Sequence, residues 1–321
     1  MMKAAIYHEP GSPDVLRYED VPDPAQPAAG EILIRVEAIS IEGGDLLGRQ
    51  RIAPGSPAKV GGYAASGEII ALGPDVRHFE LGQKVATFAF GGSHAELRVV
   101  PAATSWAVPS GLDLKLAAAV PCGPGTAALA LELGGFKPGQ TVLIQGAAGG
   151  VGVAAVQLAY RAGARVLGTG SNTASLEMLK AYGLSDAIVA GERSVNDQVR
   201  GLLGGEGVDL LIDNVGGTEL MAGLVAVKDG GRAVLVGVLG GGDYSIDAFH
   251  LLGHRQTVTG CFLGPVMAEP SVHQMIDSLL EQVARGELTV PIDAVYPLAE
   301  ASAAHRRAEQ RGRAGRVVMI P

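Results

Sequence analysis

Along the first third of the chain, apolar and polar positions alternate over short runs. Lys3–Tyr7 (KAAIY), Glu31–Ile41 (EILIRVEAISI), Ser66–Gly73 (SGEIIALG), Lys84–Phe90 (KVATFAF) and Ala95–Pro101 (AELRVVP) are rich in β-forming residues. The stretches between them, such as EPGSPD, PDPAQPAAG and LGPDV, carry the Gly, Pro and Asp of turns. This pattern predicts an irregular all-β unit. From about Leu114 the rhythm changes. TVLIQG, RVLGTG, DAIVAG, VDLLIDNVG, GRAVLVGV and TVTGC alternate with helix-length segments, which predicts a parallel sheet with helices on both faces. From Met275 onward, MIDSLLEQVARGEL predicts a helix, DAVYPL a short strand, and RVVMIP a final strand after one more helix. No internal repeat of fixed period is present.

Composition narrows the class. A chain of 321 residues can bury a sizeable core, and 47% hydrophobic with 18% charged residues reads as ordered and globular. A net charge of −8 disfavours a dedicated nucleic-acid binder. The two cysteines, Cys122 and Cys261, cannot supply a four-cysteine zinc site. The opening MMKAAIYHEPG has no apolar signal core, and the apolar stretch Ala147–Ala159 is interrupted by glycines and followed by Arg161. The expectation is a soluble, cytoplasmic protein with no membrane partner.

The candidate chemistry begins at Thr141–Asn172, TVLIQGAAGGVGVAAVQLAYRAGARVLGTGSN. A β-branched run meets Gly146, Gly149, Gly150 and Gly152 and then a helical pattern. Glycines permit a tight turn and close approach of a pyrophosphate to backbone N–H groups, and the helix N-terminus adds a favourable dipole. Against G-x-G-x-x-G, the matching positions are Ala147, Gly149 and Gly152. The setting between strand and helix points to dinucleotide binding. The following strand ends in Thr169, Gly170, Ser171 and Asn172, with no carboxylate. An acid there commonly bonds the ribose 2′-hydroxyl of NAD, and it would repel a 2′-phosphate. Its absence leans towards NADPH, the other reading being a plain solvated loop.

Taken together, these segments resemble the zinc-independent quinone oxidoreductase branch of the medium-chain dehydrogenase/reductase superfamily. The resemblance rests on AAGGVG (Ala147–Gly152), AISIEGGDLLGRQ (Ala38–Gln50), GGYAASGEIIALGPDV and the terminal GRVVMIP. It implies an α/β protein, a Rossmann-type doubly wound parallel sheet inserted in a GroES-like, mainly β catalytic domain. The expected boundaries are 1–120 and 263–321 for the catalytic domain and 121–262 for the NADP-binding domain. It also implies NADPH-dependent hydride transfer to a quinone or an α,β-unsaturated carbonyl, and a homodimer. Carried over by position, Ala148, Gly149, Gly150, Val151 and Gly152 would cradle pyrophosphate. Gly170, Ser171, Asn172 and Arg311 would hold the 2′-phosphate. Thr126, Val215, Val238, Leu239, Phe262 and Leu263 would lie along the nicotinamide half. Glu42, Asp45, Tyr63 and Phe262 are substrate-pocket candidates, with no certain catalytic residue.

The departures matter as well. Zinc-dependent relatives place cysteine where Glu42 stands, His-Glu where Tyr63 and Ala64 stand, and cysteine where Cys122 stands, so no metal is expected. Glu42 replaces the asparagine usual in the zinc-free branch. Facing the pocket it could donate a proton or orient substrate, and otherwise it is an exposed loop residue. Ser175 stands near a position that often carries a phosphate-binding lysine, Ala190 near a frequent tyrosine, and Lys180 lies about a turn beyond Ser175. His94 and His250 could relay protons, a hydrogen-bonded structural role being the plainer reading. The basic run His305–Arg316 (HRRAEQRGRAGR) reads as a solvated face, with only Arg311 put forward. The alternatives are a metal-dependent alcohol dehydrogenase and a non-catalytic NADPH-binding sensor or RNA-binding protein.

Overall fold

The alternating runs become strands in the computed structural model, which describes residues 1–51, 53, 57–191, 193–242 and 244–321. In chain order the first elements are β1 (Met2–Tyr7), β2 (Arg17–Val21), β3 (Glu31–Ser40), α1 (Gly43–Arg49), β4 (Lys59–Val60), β5 (Ala64–Leu72), β6 (Lys84–Phe88), β7 (Leu97–Pro101) and β8 (Ser105–Ala107). Helices α2 (Leu114–Ala119) and α3 (Gly123–Leu133) lead into the alternating part. There β9 (Thr141–Gln145), α4 (Gly150–Arg161), β10 (Arg165–Gly170), α5 (Thr173–Leu179), β11 (Asp186–Val189) and α6 (Val195–Leu202) are followed by β12 (Val208–Asp213), α7 (Thr218–Leu224), β13 (Val227–Leu235), α8 (Ala248–His254) and β14 (Thr257–Gly260). The chain closes with α9 (Pro270–Ala284), β15 (Ile292–Pro297), α10 (Ala301–Glu309) and β16 (Arg316–Ile320). It divides into two compact units: Met1–Gly125 with Gly264–Gln310 and Arg316–Pro321, and Thr126–Leu263 with Arg311–Gly315.

In the mainly β unit, one sheet runs β15-β16-β3-β5-β6-β8, with β7 also paired to β3, and a smaller sheet runs β2-β1-β4. The long strand β3 is its centre. Ile32, Ile34 and Ile39 are fully buried and pack with Ile69 and Val85. The last strand of the chain pairs with the end of β3, Val318 opposite Ser40, and Ile41 N–H donates to Val317 O at 3.0 Å. Arg316 thereby arrives beside Glu42. Among the described residues, three strands escape the sequence pattern. β2 (RYEDV) is largely exposed and charged, so its pairing with β1 rather than its own periodicity makes it a strand. The two-residue β4 and the three-residue β8 are too short to show any period. Helix α9 starts five residues ahead of the expected Met275, at Pro270, whose fixed φ suits a first helical position.

The second unit is a six-stranded parallel sheet in the order β11-β10-β9-β12-β13-β14. Its central strands are near-continuous apolar runs because helices cover both faces. Val142, Leu143, Ile144, Leu211 and Ile212 are all fully buried. The order reverses at β9, which places the ligand crevice of such a sheet at the carboxyl ends of β9 and its neighbours. The returning segment 311–315 belongs to this unit. Gly315 N–H donates to Ala148 O at 3.3 Å, and the Ser175 hydroxyl donates to Gly312 O at 2.8 Å. Among the described residues one helical stretch, Leu114–Leu133, is long and apolar enough to cross a membrane, and 72% of its most apolar window is buried in the protein, as in a core helix.

Candidate active site

The glycine loop sits between β9 and α4. Gly146 has φ +66°, a conformation glycine adopts without cost, and turns the chain out of the strand. Thr169 fixes the turn from the next strand: its hydroxyl accepts from Gly146 N–H at 3.3 Å, and its carbonyl accepts from Ala147 N–H at 2.9 Å. A Cβ on Gly152 would lie 2.4 Å from Gly146 O and 2.6 Å from Ala147 O, so only glycine lets the helix pack this close to the turn. Gly149 is the N-cap of α4 and offers no capping side chain. The first-turn amides of Gly150, Val151 and Gly152 therefore have no intrahelical acceptor, and the helix dipole points the same way. Together with the half-buried Ala148, the loop fits a pyrophosphate.

At the end of β10 the adenosine-side candidates converge. Gly170 is half-buried, and Ser171 and Asn172 are exposed. The Asn172 side-chain oxygen caps α5 by accepting from Ser175 N–H at 3.0 Å. Segment 311–315 arrives here, since a Cβ on Gly312 would lie 3.0 Å from Asn172 Nδ2. The exposed Arg311 is the residue before Gly312 in this segment. Lys180 is paired instead with Glu177 at 2.8 Å, past the C-terminal end of α5.

The nicotinamide-side candidates lie on interlocked turns after β12 and β13. Val215 Cγ2 stands 3.0 Å from where a Gly146 Cβ would be, so it packs on the glycine turn. Gly240 N–H donates to Val215 O at 2.8 Å, and Val238 and Leu239 are exposed. Asp213 holds the turn by accepting from the amides of Val215 and Gly216 at 2.9 and 3.0 Å. Thr126 is half-buried in the first turns of α3, Leu263 is buried, and Phe262 is 66% exposed.

In the mainly β unit, Glu42, Asp45 and Tyr63 come together. Glu42 is buried rather than an exposed loop residue. One carboxylate oxygen accepts from the Ser40 hydroxyl at 2.7 Å, and the other faces Arg316 Nη1 at 2.6 Å. Its backbone N–H donates to Asp45 Oδ2 at 2.8 Å, closing the N-terminus of α1. Tyr63 lies over Gly44, where any Cβ would meet its ring at 2.1 Å, and stacks edge-on with Phe88 and Phe90 at 5.7 and 5.4 Å. This aromatic group is an apolar wall beside the Glu42–Asp45 segment.

Beneath that wall lies a buried polar cluster. Asp45 Oδ2 and His94 Nε2 are 3.8 Å apart, a spacing that suggests an ion pair. Burial holds both neutral instead. It pushes the Asp45 carboxyl up to about 8, the Glu42 charge acting in the same direction, and pushes His94 down to about 3, helped by Arg98 and Arg49. Among the described residues the His94 ring has no hydrogen-bond partner, which corrects the expectation of a hydrogen-bonded structural histidine. Its edge-on neighbour His305, at 5.0 Å, accepts at Nδ1 from Arg49 Nη1 at 2.7 Å. His250 is half-buried against His254.

The basic run at the C-terminus is not one solvated face. His305 and Arg316 are buried, Arg306 pairs with Asp14, and Arg307 pairs with Asp293 at 2.7 Å. Asp14 lies 292 positions from Arg306, and Asp293 lies 14 from Arg307 on another element, so periodicity did not reveal these partners.

The residues at the zinc-ligand positions do not suit a metal ion. The Glu42 carboxylate is already matched by a guanidinium, which would repel a dication. Burial holds the Cys122 thiol well above its ordinary range, with the Glu42 charge adding to the effect, so it is no thiolate. Among the described residues, no three His, Cys, Asp or Glu side chains are grouped to hold a metal.

Comparison with known proteins agrees with this architecture. Residues 28–110 match the alcohol dehydrogenase GroES-like domain, and residues 150–281 match the zinc-binding dehydrogenase domain. A quinone oxidoreductase of Pseudomonas aeruginosa is 31% identical, with 100% of each chain covered. A 2-haloacrylate reductase of Burkholderia sp. is 30% identical, covering 100% of this chain and 99% of that one. The structure of Escherichia coli quinone oxidoreductase complexed with NADPH superposes with a TM-score of 0.91 at 26% identity, covering 99% and 100% of the two chains.

Two outcomes follow from these geometries. Gly152→Ala should abolish measurable NADPH binding in a fluorescence titration and cost about 1–3 kcal/mol of stability, because its methyl group overlaps two backbone carbonyls. The buried cluster fixes a pH optimum of stability. His94 and His305 are both depressed below 6.5, so their contributions are lost as pH falls through that value. Asp45 is raised from 3.8 to about 8, so its contribution is full at low pH and lost as pH rises towards 8. Below about 6.5 the two histidines outweigh the carboxyl, and above it their share fades while Asp45 takes over, with Asp213, also raised, acting in the same sense. Urea unfolding should show a maximum near pH 6.5 and a net fall of about 1 kcal/mol by pH 8 as Asp45 ionises. Asp45→Asn, which keeps an acceptor for Glu42 N–H, should remove most of the alkaline fall and leave the acid limb.

Proposed function

The chain belongs to the quinone oxidoreductase branch of the medium-chain dehydrogenase/reductase superfamily, and on that premise we propose that it is an NADPH-dependent, zinc-independent reductase of small quinones or α,β-unsaturated carbonyls. The observation that carries this reading is the glycine loop closed against Gly152, read together with the Glu42–Arg316 pair at the zinc position. Bound NADPH supplies the hydride, so the protein's own task is to bind, orient and exclude.

In this reading the amides from Ala148 to Gly152 hold the pyrophosphate, and Gly170, Ser171, Asn172 and Arg311 hold the 2′-phosphate. Thr126, Val215, Val238, Leu239, Phe262 and Leu263 line the nicotinamide half. Tyr63, with Phe88 and Phe90 behind it, offers an apolar wall to a flat conjugated acceptor. Glu42 orients rather than donates a proton, because both its oxygens are engaged. Asp45, buried and hydrogen-bonded to the N-terminus of α1, holds that segment in place. Hydride on an enone β-carbon or a quinone leaves a delocalised anion, and water is a sufficient proton source for it.

The protein is further read as a cytoplasmic homodimer. Strand β14 is an edge of the parallel sheet, and the preceding helix α8 exposes Phe249 (81%) and Leu252 (76%). A second copy pairing along that edge would cover them.

The test follows oxidation of NADPH and, in parallel, NADH by absorbance, with an ortho-quinone and a simple enone, in the presence of a chelator. Acceptor-dependent oxidation that is faster with NADPH and indifferent to chelation is expected. Activity lost on chelation and restored by zinc would establish the alcohol dehydrogenase reading instead. Cofactor binding without turnover of either acceptor would leave a nucleotide-binding sensor.

A further inference from the structure

The 2′-phosphate site just described, on which this inference rests, has one positive charge from Arg311 where a dianion calls for more. Ser175, at the position where a lysine is common in this branch, is buried, and its hydroxyl is engaged with Gly312 O. Ala190 has no polar side chain to offer. The neighbouring cations are committed: Arg165 to Asp186, Lys180 to Glu177, Arg200 to Asn196 and Gly205 O, and Arg313 to Gly315 O. Arg193 is exposed, and among the described residues it has no ion pair or side-chain hydrogen bond.

The backbone brings Arg193 to this end of the sheet. Val189, the last residue of β11, lies opposite Gly170, the last of β10, and Ala190 N–H donates to Gly170 O at 2.9 Å. The chain then turns back, so that Arg193 forms an isolated bridge with Ala190. Gln198 clamps the turn, its side-chain amide donating to Val189 O at 3.2 Å and to Arg193 O at 3.1 Å. Arg193 is therefore held close to the residue bonded to Gly170, two positions before Asn172. An extended arginine side chain is longer than the spacing between neighbouring strands, about 4.8 Å.

We propose that Arg193 is a second phosphate-binding residue, set on the loop after β11, that faces the ribose 2′-phosphate of NADPH with Arg311 and takes the part that Ser175 and Ala190 cannot play. The guanidinium fork matches a phosphate in geometry as well as charge. Gln198 is a positioning residue that acts through the loop. The charge that selects NADPH over NADH has moved from the helix after β10 to the turn after the neighbouring strand.

The test is equilibrium binding of NADPH and NADH, by fluorescence or calorimetry, to wild type, Arg193→Ala, Arg193→Lys and Gln198→Ala. Arg193→Ala should weaken NADPH at least about tenfold, the loss of a charge-assisted bond, and leave NADH unchanged, which also serves as the control for folding. Arg193→Lys should recover part of the loss, and Gln198→Ala should weaken NADPH less than Arg193→Ala does. The salt dependence of NADPH binding should become shallower in Arg193→Ala. Wild-type preference for NADPH that survives Arg193→Ala intact would overturn the role of Arg193 and leave the NADPH reading standing. Wild type binding both nucleotides equally would overturn the NADPH reading and the inference with it.

Discussion

A carboxylate as buried as Glu42 has to be matched by charge, and the match comes from the other end of the chain. Arg316 opens β16, and β16 can reach Glu42 only because it pairs with the end of β3. Of the positions where zinc-dependent relatives carry metal ligands, Glu42 is tied to Arg316 and the Ser40 hydroxyl, and Cys122 is a neutral thiol. Once a guanidinium neutralises that position, Lewis-acid chemistry has no foothold there. The reducing power has to come from a nucleotide held by the parallel-sheet unit.

That unit meets the requirement with backbone rather than charge. The turn at Gly146 and the contact at Gly152 bring strand and helix so close that the first amides of α4 are left for an anion. Residues 311–315 leave the mainly β unit, lie along the loop through Gly315 and α5 through Ser175, and return as β16. Five residues, Arg311 to Gly315, thus belong to the parallel-sheet unit, and the next residue, Arg316, matches the charge of Glu42.

Much of this was legible in the sequence where a local pattern carries the information. The strand at Thr141–Gln145 and the glycine turn were readable from composition and spacing, and so was the uncharged end of β10. Strand β2 was not, because three of its five residues are charged and the run becomes a strand only by pairing with β1. Glu42 could be read either as a buried or as an exposed group, since nothing near it in sequence reveals a partner 274 positions away. The basic C-terminal run misled for the same reason: its charges are matched by Asp14, Glu42 and Asp293, which only the fold brings near. Ser175 read as a lost phosphate ligand, and its role in holding the 311–315 segment emerges from the geometry alone.

The most direct measurement is a double-mutant cycle on the pair that organises the site, with urea unfolding of wild type, Glu42→Gln, Arg316→Met and the double variant. Each single change leaves an uncompensated buried group and should cost about 3–5 kcal/mol, while the double variant should lose clearly less than the sum of the two. Additive losses below about 1 kcal/mol each, of the size seen for solvated surface pairs, would contradict a site built on an ion pair in place of a metal.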